Sequence, residues 1–115
     1  MEQAVTYIVD QRNVATITLA RPDKHNAFND DMIATLTSLF KKAGQDDTIR
    51  AVILQAQGKS FSAGADLGWM KRMASYTESQ NHADAMALAT MLHTLYTLPK
   101  PTIARVQGAA FGGAV

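Results

Sequence analysis

Cysteine is absent from the 115 residues. That excludes disulfides, thiol catalysis and cysteine-ligated metals, and a reducing, cytoplasmic location is the expectation that fits best. Charge of one sign is also missing, since 11 Lys and Arg stand against 10 Asp and Glu for a formal net charge of +1. So balanced a chain offers no footprint for nucleic acid or an anionic membrane. No apolar run approaches the roughly 20 residues a membrane-spanning helix needs. The opening Met1-Glu2-Gln3-Ala4-Val5-Thr6 has neither the basic nor the apolar region of a signal peptide. The three histidines, His25, His82 and His93, lack metal-ligand spacing, so no metal site is expected. The far end, Gly112-Gly113-Ala114-Val115, has no polar tail and reads as an internal stretch rather than a natural C-terminus.

What is present describes an ordinary folded domain. A hydrophobic content of 47% with 18% charged residues is neither disordered nor membranous. One domain of this size buries roughly two-thirds of its unfolded surface. Alternation in Val5-Tyr7-Val9 and Ala15-Ile17-Leu19, about the turn Asp10-Gln11-Arg12-Asn13, predicts a β-hairpin over residues 4–20. Asn29 is placed to cap a helix whose first turn holds Asp30 and Asp31, where the helix dipole favours negative charge. Met32, Ile33, Leu36, Leu39, Phe40 and Ala43 share one face of it, Lys41 and Lys42 close it, and Gly44 is the expected C-cap.

The run Ala51-Val52-Ile53-Leu54 predicts a strand buried on both faces. Asp66 can cap a short helix reaching Met73, and Thr77 with Gln80 has the spacing of a capping box for a longer one. Pro99 and Pro101 end that helix, and Thr102 to Val106 is the next strand. The order is that of an α/β fold.

Two small-residue loops follow expected strands and lead into expected helices: Ser62-Ala63-Gly64-Ala65-Asp66 and Gly108-Ala109-Ala110-Phe111-Gly112-Gly113. Small side chains admit a ligand close to the backbone, and the start of a helix offers unpaired N–H donors. Two such donors converging on one oxygen make an oxyanion hole. Tight packing of strand-to-helix turns is the simpler explanation of either loop alone, and composition does not show convergence. Gly58-Lys59-Ser60 is not a phosphate-binding loop, because the glycine required five positions earlier is Ile53. A dinucleotide fingerprint fails at Ala110, where its second glycine belongs. Lys71-Arg72 reads as a solvated pair or an anion contact, and Trp69, Met70 and Met73 as core or as the lining of an apolar pocket.

The segments Leu19-Ala20-Arg21-Pro22, Asn26-Ala27-Phe28, Val52-Ile53-Leu54, Phe61 through Leu67, Lys100 through Ala104 and Val106 through Gly113 resemble the crotonase (enoyl-CoA hydratase/isomerase) superfamily in order and spacing. Leu67 through Met73 and Leu98 through Arg105 are similar to bacterial methylglutaconyl-CoA hydratase relatives. The resemblance implies a spiral of β-β-α units, of which residues 1–115 would be the N-terminal portion of a single domain. It implies an enzyme acting on acyl-coenzyme A thioesters without a metal or redox cofactor, assembled as a trimer or a hexamer. Carried over, the backbone N–H groups of Ala65 and Gly113 would form the oxyanion hole. Lys24, Ala27, Ala63, Ala65, Asp66 and Leu67 would contact coenzyme A, and Met70 the acyl group.

Ala114 stands where a third glycine is common, a departure that leaves the Gly113 N–H in place. Hydration also needs carboxylates as general acid and base. The resemblance puts both glutamates beyond Val115, so residues 1–115 alone are not expected to hydrate an enoyl-CoA. Isomerase, hydrolase and dehalogenase chemistry, and a non-catalytic acyl-CoA-binding piece, remain alternatives.

Overall fold

In the computed structural model, which describes residues 3–115, the elements are two strands, a helix, a strand, two helices and a last short strand. They are β1 (Val5–Val9), β2 (Val14–Leu19), α1 (Asp30–Gln45), β3 (Ala51–Ala56), α2 (Leu67–Met73), α3 (Glu78–Tyr96) and β4 (Thr102–Ala104). Single 3-10 turns lie at Pro22–Lys24 and Gly112–Ala114. The expected hairpin is there, with β1 antiparallel to β2 and Tyr7 opposite Ile17. Parallel pairing then adds β3 to β2 and β4 to β3, for a sheet ordered β1-β2-β3-β4.

One face of this sheet carries the core. Val5, Ala15, Ile17, Leu19 and Val52 meet Met32, Ile33, Leu36, Phe40 and Ala43 of α1 and Met91 of α3, all buried. The opposite face is not covered by the helices. Ile8 and Ile103 are 65% and 52% exposed there, and Gln55 Nε2 donates to Thr18 Oγ1 at 3.1 Å. The expectation that Ala51 through Leu54 is buried on both faces is therefore corrected, because only Val52 is fully buried. A continuous apolar run records what each residue tolerates, and helices on one side bury only every second side chain.

The helix boundaries follow their capping chemistry. Asn29 Oδ1 accepts the Met32 N–H at 2.9 Å, and the Thr77–Gln80 box is closed in both directions. Gly44 is not a C-cap: α1 runs through it to Gln45, and Asp46 donates its N–H to the Lys42 carbonyl. Its missing side chain serves a close approach, since a Cβ there would lie 3.4 Å from Pro99 Cδ. Lys100 Nζ donates to the carbonyls of Ala43 and Asp46, satisfying acceptors that the end of a helix leaves free. β4 is shorter than expected, stopping at Ala104, and it is exposed throughout. Among the described residues, no helix is long and apolar enough to cross a membrane.

Candidate active site

The site lies beyond the C-terminal ends of β3 and β4, where their parallel pairing is renewed after a gap. Phe61 and Ser62 both donate their N–H groups to the Ala109 carbonyl, at 2.9 and 3.2 Å, and Phe111 returns its N–H to the Ser62 carbonyl at 3.1 Å. A Ser62–Ala110 bridge results, laying the two small-residue loops side by side. Contact is close enough to require glycine. A Cβ on Gly64, whose φ is +89°, would stand 2.9 Å from the Phe111 carbonyl oxygen, and one on Gly108 would collide with the Lys59 carbonyl. The two loops that the sequence leaves unconnected are thus brought side by side in the fold.

The third strand of this assembly is the loop after β2. Phe28 donates to the Gly64 carbonyl and accepts from the Asp66 N–H, both at 2.7 Å, while Ala63 donates to the His25 carbonyl at 2.9 Å. In a parallel bridge the residue opposite Phe28 turns its own N–H the other way. That residue is Ala65. Among the described residues its N–H meets no acceptor, and neither does that of Gly113. Both residues are exposed. Two unengaged donors therefore sit on adjoining loops built mostly of small residues.

Other expected site residues divide. Lys24 and Ala63 are exposed on adjoining loops, whereas Ala27 is buried, donates its N–H to the Lys24 carbonyl and accepts from Arg21 Nη1. Leu67 is 72% exposed at the start of α2. The apolar trio splits: Trp69 is 3% exposed in the core, Met73 packs half-buried against it, and Met70 stands 41% exposed. An apolar cavity of about 90 Å³ lies beneath Gly113, walled by Phe28, Phe61, Met91 and Leu95 among others. It is small beside the roughly 300–1,000 Å³ of ordinary ligand sites. The charged pair also separates, with Arg72 bound to Asp30 at 3.0 Å. Among the described residues no three His, Asp or Glu side chains gather as a metal site.

Three polar residues to which the sequence motifs assigned no role, Arg21, Asn26 and Ser62, hold this framework. Asn26 is fully buried at φ 54°. Its side-chain oxygen accepts the Arg21 N–H at 2.8 Å, and its amide donates to the carbonyls of Gln57 and Ser60 at 2.8 and 3.0 Å. Ser62, equally buried, donates Oγ–H to the Asn26 carbonyl at 2.8 Å and accepts the Gly64 N–H at 3.2 Å. Arg21 spans the loops with Nη2 on Asp66 Oδ2 at 3.3 Å. The only signal in the sequence was weak: asparagine tolerates left-handed backbone better than most residues.

Asp66 therefore has two partners within the fold, since Oδ1 also caps α2 by accepting the Trp69 N–H at 3.0 Å. The Trp69 N–H, with the Arg21 guanidinium behind it, holds the carboxyl below the usual carboxylate range against the opposing effect of burial. A lowered value means that the stabilisation is complete above the unfolded pKa and fades as pH falls through the folded one. Asp66→Asn keeps a cap but loses the ion pair, so it should cost about 1 kcal/mol at pH 7. The gap between its urea midpoint and the wild type's should narrow progressively below about pH 4. A gap unchanged down to pH 3 would show that the carboxylate charge contributes nothing.

A mixed sheet with helices on one face, and two backbone-donor loops joined at its strand ends, defines a mixed α/β protein with a backbone-lined site. Residues 10–115 match the family model described as Enoyl-CoA hydratase/isomerase, and the chain belongs to that family. The crystal structure of an enoyl-CoA hydratase from Shewanella pealeana superposes with a TM-score of 0.93 at 43% identity, covering 97% of this chain and 42% of that one. The 4-chlorobenzoyl coenzyme A dehalogenase-1 of an Arthrobacter species is 36% identical over 102 residues, 87% of this chain and 37% of its own length. The 1,2-epoxyphenylacetyl-CoA isomerase of Escherichia coli is 34% identical over 108 residues, 89% of this chain and 39% of its own. The chain thus spans about two-fifths of the length of the relatives it matches. The crotonase-like fold expected from the sequence is the fold observed.

Proposed function

We propose that the full-length gene product is a lyase that hydrates an α,β-unsaturated acyl-coenzyme A, and that residues 1–115 supply its oxyanion hole as the N-terminal part of one domain. The observation that carries this reading is the pair of unengaged N–H groups, Ala65 and Gly113, on loops joined by the Ser62–Ala110 bridge. When water adds at the β-carbon, negative charge passes through the conjugated system to the thioester oxygen. Fixed backbone dipoles meet that charge with little reorganisation, and this step needs no metal or redox cofactor. Coenzyme A runs along the exposed edge formed by Lys24 and Ala63, with the Ala27 and Asp66–Leu67 backbone flanking it. Met70, exposed one turn beyond Asp66, faces the acyl group. A branched or carboxylated enoyl group of the methylglutaconyl type is the proposed substrate, supported by the likeness of Leu67 through Met73 and Leu98 through Arg105 to such hydratases.

The same N–H pair serves isomerisation or dehalogenation, because an enolate oxygen forms in each. Relatives bearing isomerase and dehalogenase names match over this same stretch, which favours keeping that second reading. The exposed apolar side chains of Met86, Leu92 and Tyr96 on α3 support assembly into a trimer or hexamer. The test is to incubate the purified full-length product with crotonyl-CoA, 3-methylglutaconyl-CoA and a 3-enoyl-CoA, and to identify products by mass. Water addition fastest on 3-methylglutaconyl-CoA is expected. Isomerised 3-enoyl-CoA without hydration establishes isomerisation, and no conversion of any of these thioesters by a folded protein ends both the hydratase and the isomerase readings.

A further inference from the structure

We propose that Asp84 is a positioning residue: by accepting the Trp69 indole N–H it holds α2, and with it the Ala65 N–H, in the reactive geometry. The inference rests on the oxyanion role proposed for Ala65. Only seven residues long, α2 is too short to keep its place by its own hydrogen bonds. Its position is therefore set by tertiary anchors. At its start, Asp66 joins the Trp69 backbone N–H to Arg21. At its middle, the same Trp69 inserts its ring into the core, and Nε1 donates to Asp84 Oδ2 of α3 at 2.9 Å. Arg72–Asp30, the third tie, is exposed and correspondingly weak.

A continuous chain thus runs from Arg21 through Asp66 and Trp69 to Asp84, crossing from the loop after β2 to α3. Ala65 is the residue next to Asp66 in this chain. α3 is closed by its capping box and anchored in the core by Met91. A buried indole N–H deprived of its acceptor must either stay unsatisfied or move to find water, and movement of Trp69 turns α2 about its capped end. Oxyanion donors act on charge that exists mainly in the transition state, so a small displacement lowers turnover more than substrate binding.

The experiment uses the full-length product with crotonyl-CoA and active sites counted by titration. Asp84→Leu should lower kcat about 10- to 100-fold while KM stays within about 3-fold. Asp84→Asn, whose amide oxygen still accepts the indole N–H, should restore kcat to within about 3-fold of wild type. Trp69→Phe should match Asp84→Leu, and adding Asp84→Leu to it should cause no further fall, as expected of two groups acting through one bond. If Asp84→Leu does not fold, Asp84→Asn and Trp69→Phe decide. An unchanged kcat in folded Asp84→Leu or Trp69→Phe, or an Asp84→Asn as impaired as the leucine variant, overturns the proposal. Ala65→Pro run alongside separates the two failures: if it keeps its turnover the oxyanion reading itself is wrong, and if it loses it while Asp84→Leu does not, only the positioning role falls.

Discussion

Ala65→Pro in the full-length product should lower kcat on an enoyl-CoA by about 100- to 1000-fold, the usual consequence of removing one oxyanion donor. Proline deletes the N–H. The fold gives this substitution an advantage as a probe, because the Ala65 N–H serves no hydrogen bond among the described residues. The Phe28–Ala65 bridge survives it, being made by the Gly64 carbonyl and the Asp66 N–H. Proline also restricts the residue before it, and Gly64, having no Cβ, removes one of the two clashes, that with the backbone N–H remaining. The KM should change little, since an oxyanion donor acts on charge that develops mainly in the transition state. Steady-state kinetics with a thermal melt to confirm folding provide the measurement. Turnover within a few-fold of wild type in a folded variant would remove Ala65 from the mechanism.

Asn26→Ala should be the most destabilising single change in this region, by about 3 to 5 kcal/mol. It strands the N–H of half-buried Arg21 and takes a donor from the carbonyl of exposed Gln57, although the Ser60 carbonyl keeps its bond from Gln107 Nε2. It also leaves a void where a side chain with no exposure sat, at a left-handed φ that alanine adopts less readily. The damage should be directed. Asn26 ties the loop after β2 to the bend after β3, and its carbonyl holds Ser62. Amide exchange at Ala63 and Gly64 should therefore quicken more than at the α1 amides. Urea unfolding beside Asn81→Ala, an exposed control expected to shift stability by under about 0.5 kcal/mol, tests both size and cause. Equal effects from the two substitutions would show that the buried network carries no special weight.

Sequence patterns were most informative where the physics is local. Caps at Asn29, Asp66 and Thr77 depend on one side chain reaching an N–H a few residues ahead, and each is present in the structure. The 4–20 hairpin needed only period-two alternation and a polar turn. Local reading failed where a neighbour decided the outcome. Gly44 looked like a terminator, yet the segment at Leu98-Pro99 uses its smallness. Val52 and Ile53 were indistinguishable as apolar strand residues, but helices cover only the side to which Val52 points. The Trp69, Met70 and Met73 trio could not be apportioned between core and surface without knowing which side chains of α2 reach the core.

By itself the sequence determined the local elements and, through the order and spacing of its small-residue loops, the family. Those properties rest on backbone sterics, capping and side-chain period, which act within a few residues. The tertiary structure decided which donors are free. Ala63, Gly64 and Asp66 give their N–H groups to the His25 carbonyl, Ser62 Oγ and the Phe28 carbonyl, and Ala65 alone of that run is left with an unengaged one. That distinction arises from parallel pairing between segments more than 30 positions apart, reinforced by the buried amide of Asn26. A hydrogen-bond direction in such a bridge depends on which residue lies opposite which, and no pattern within either loop encodes that register.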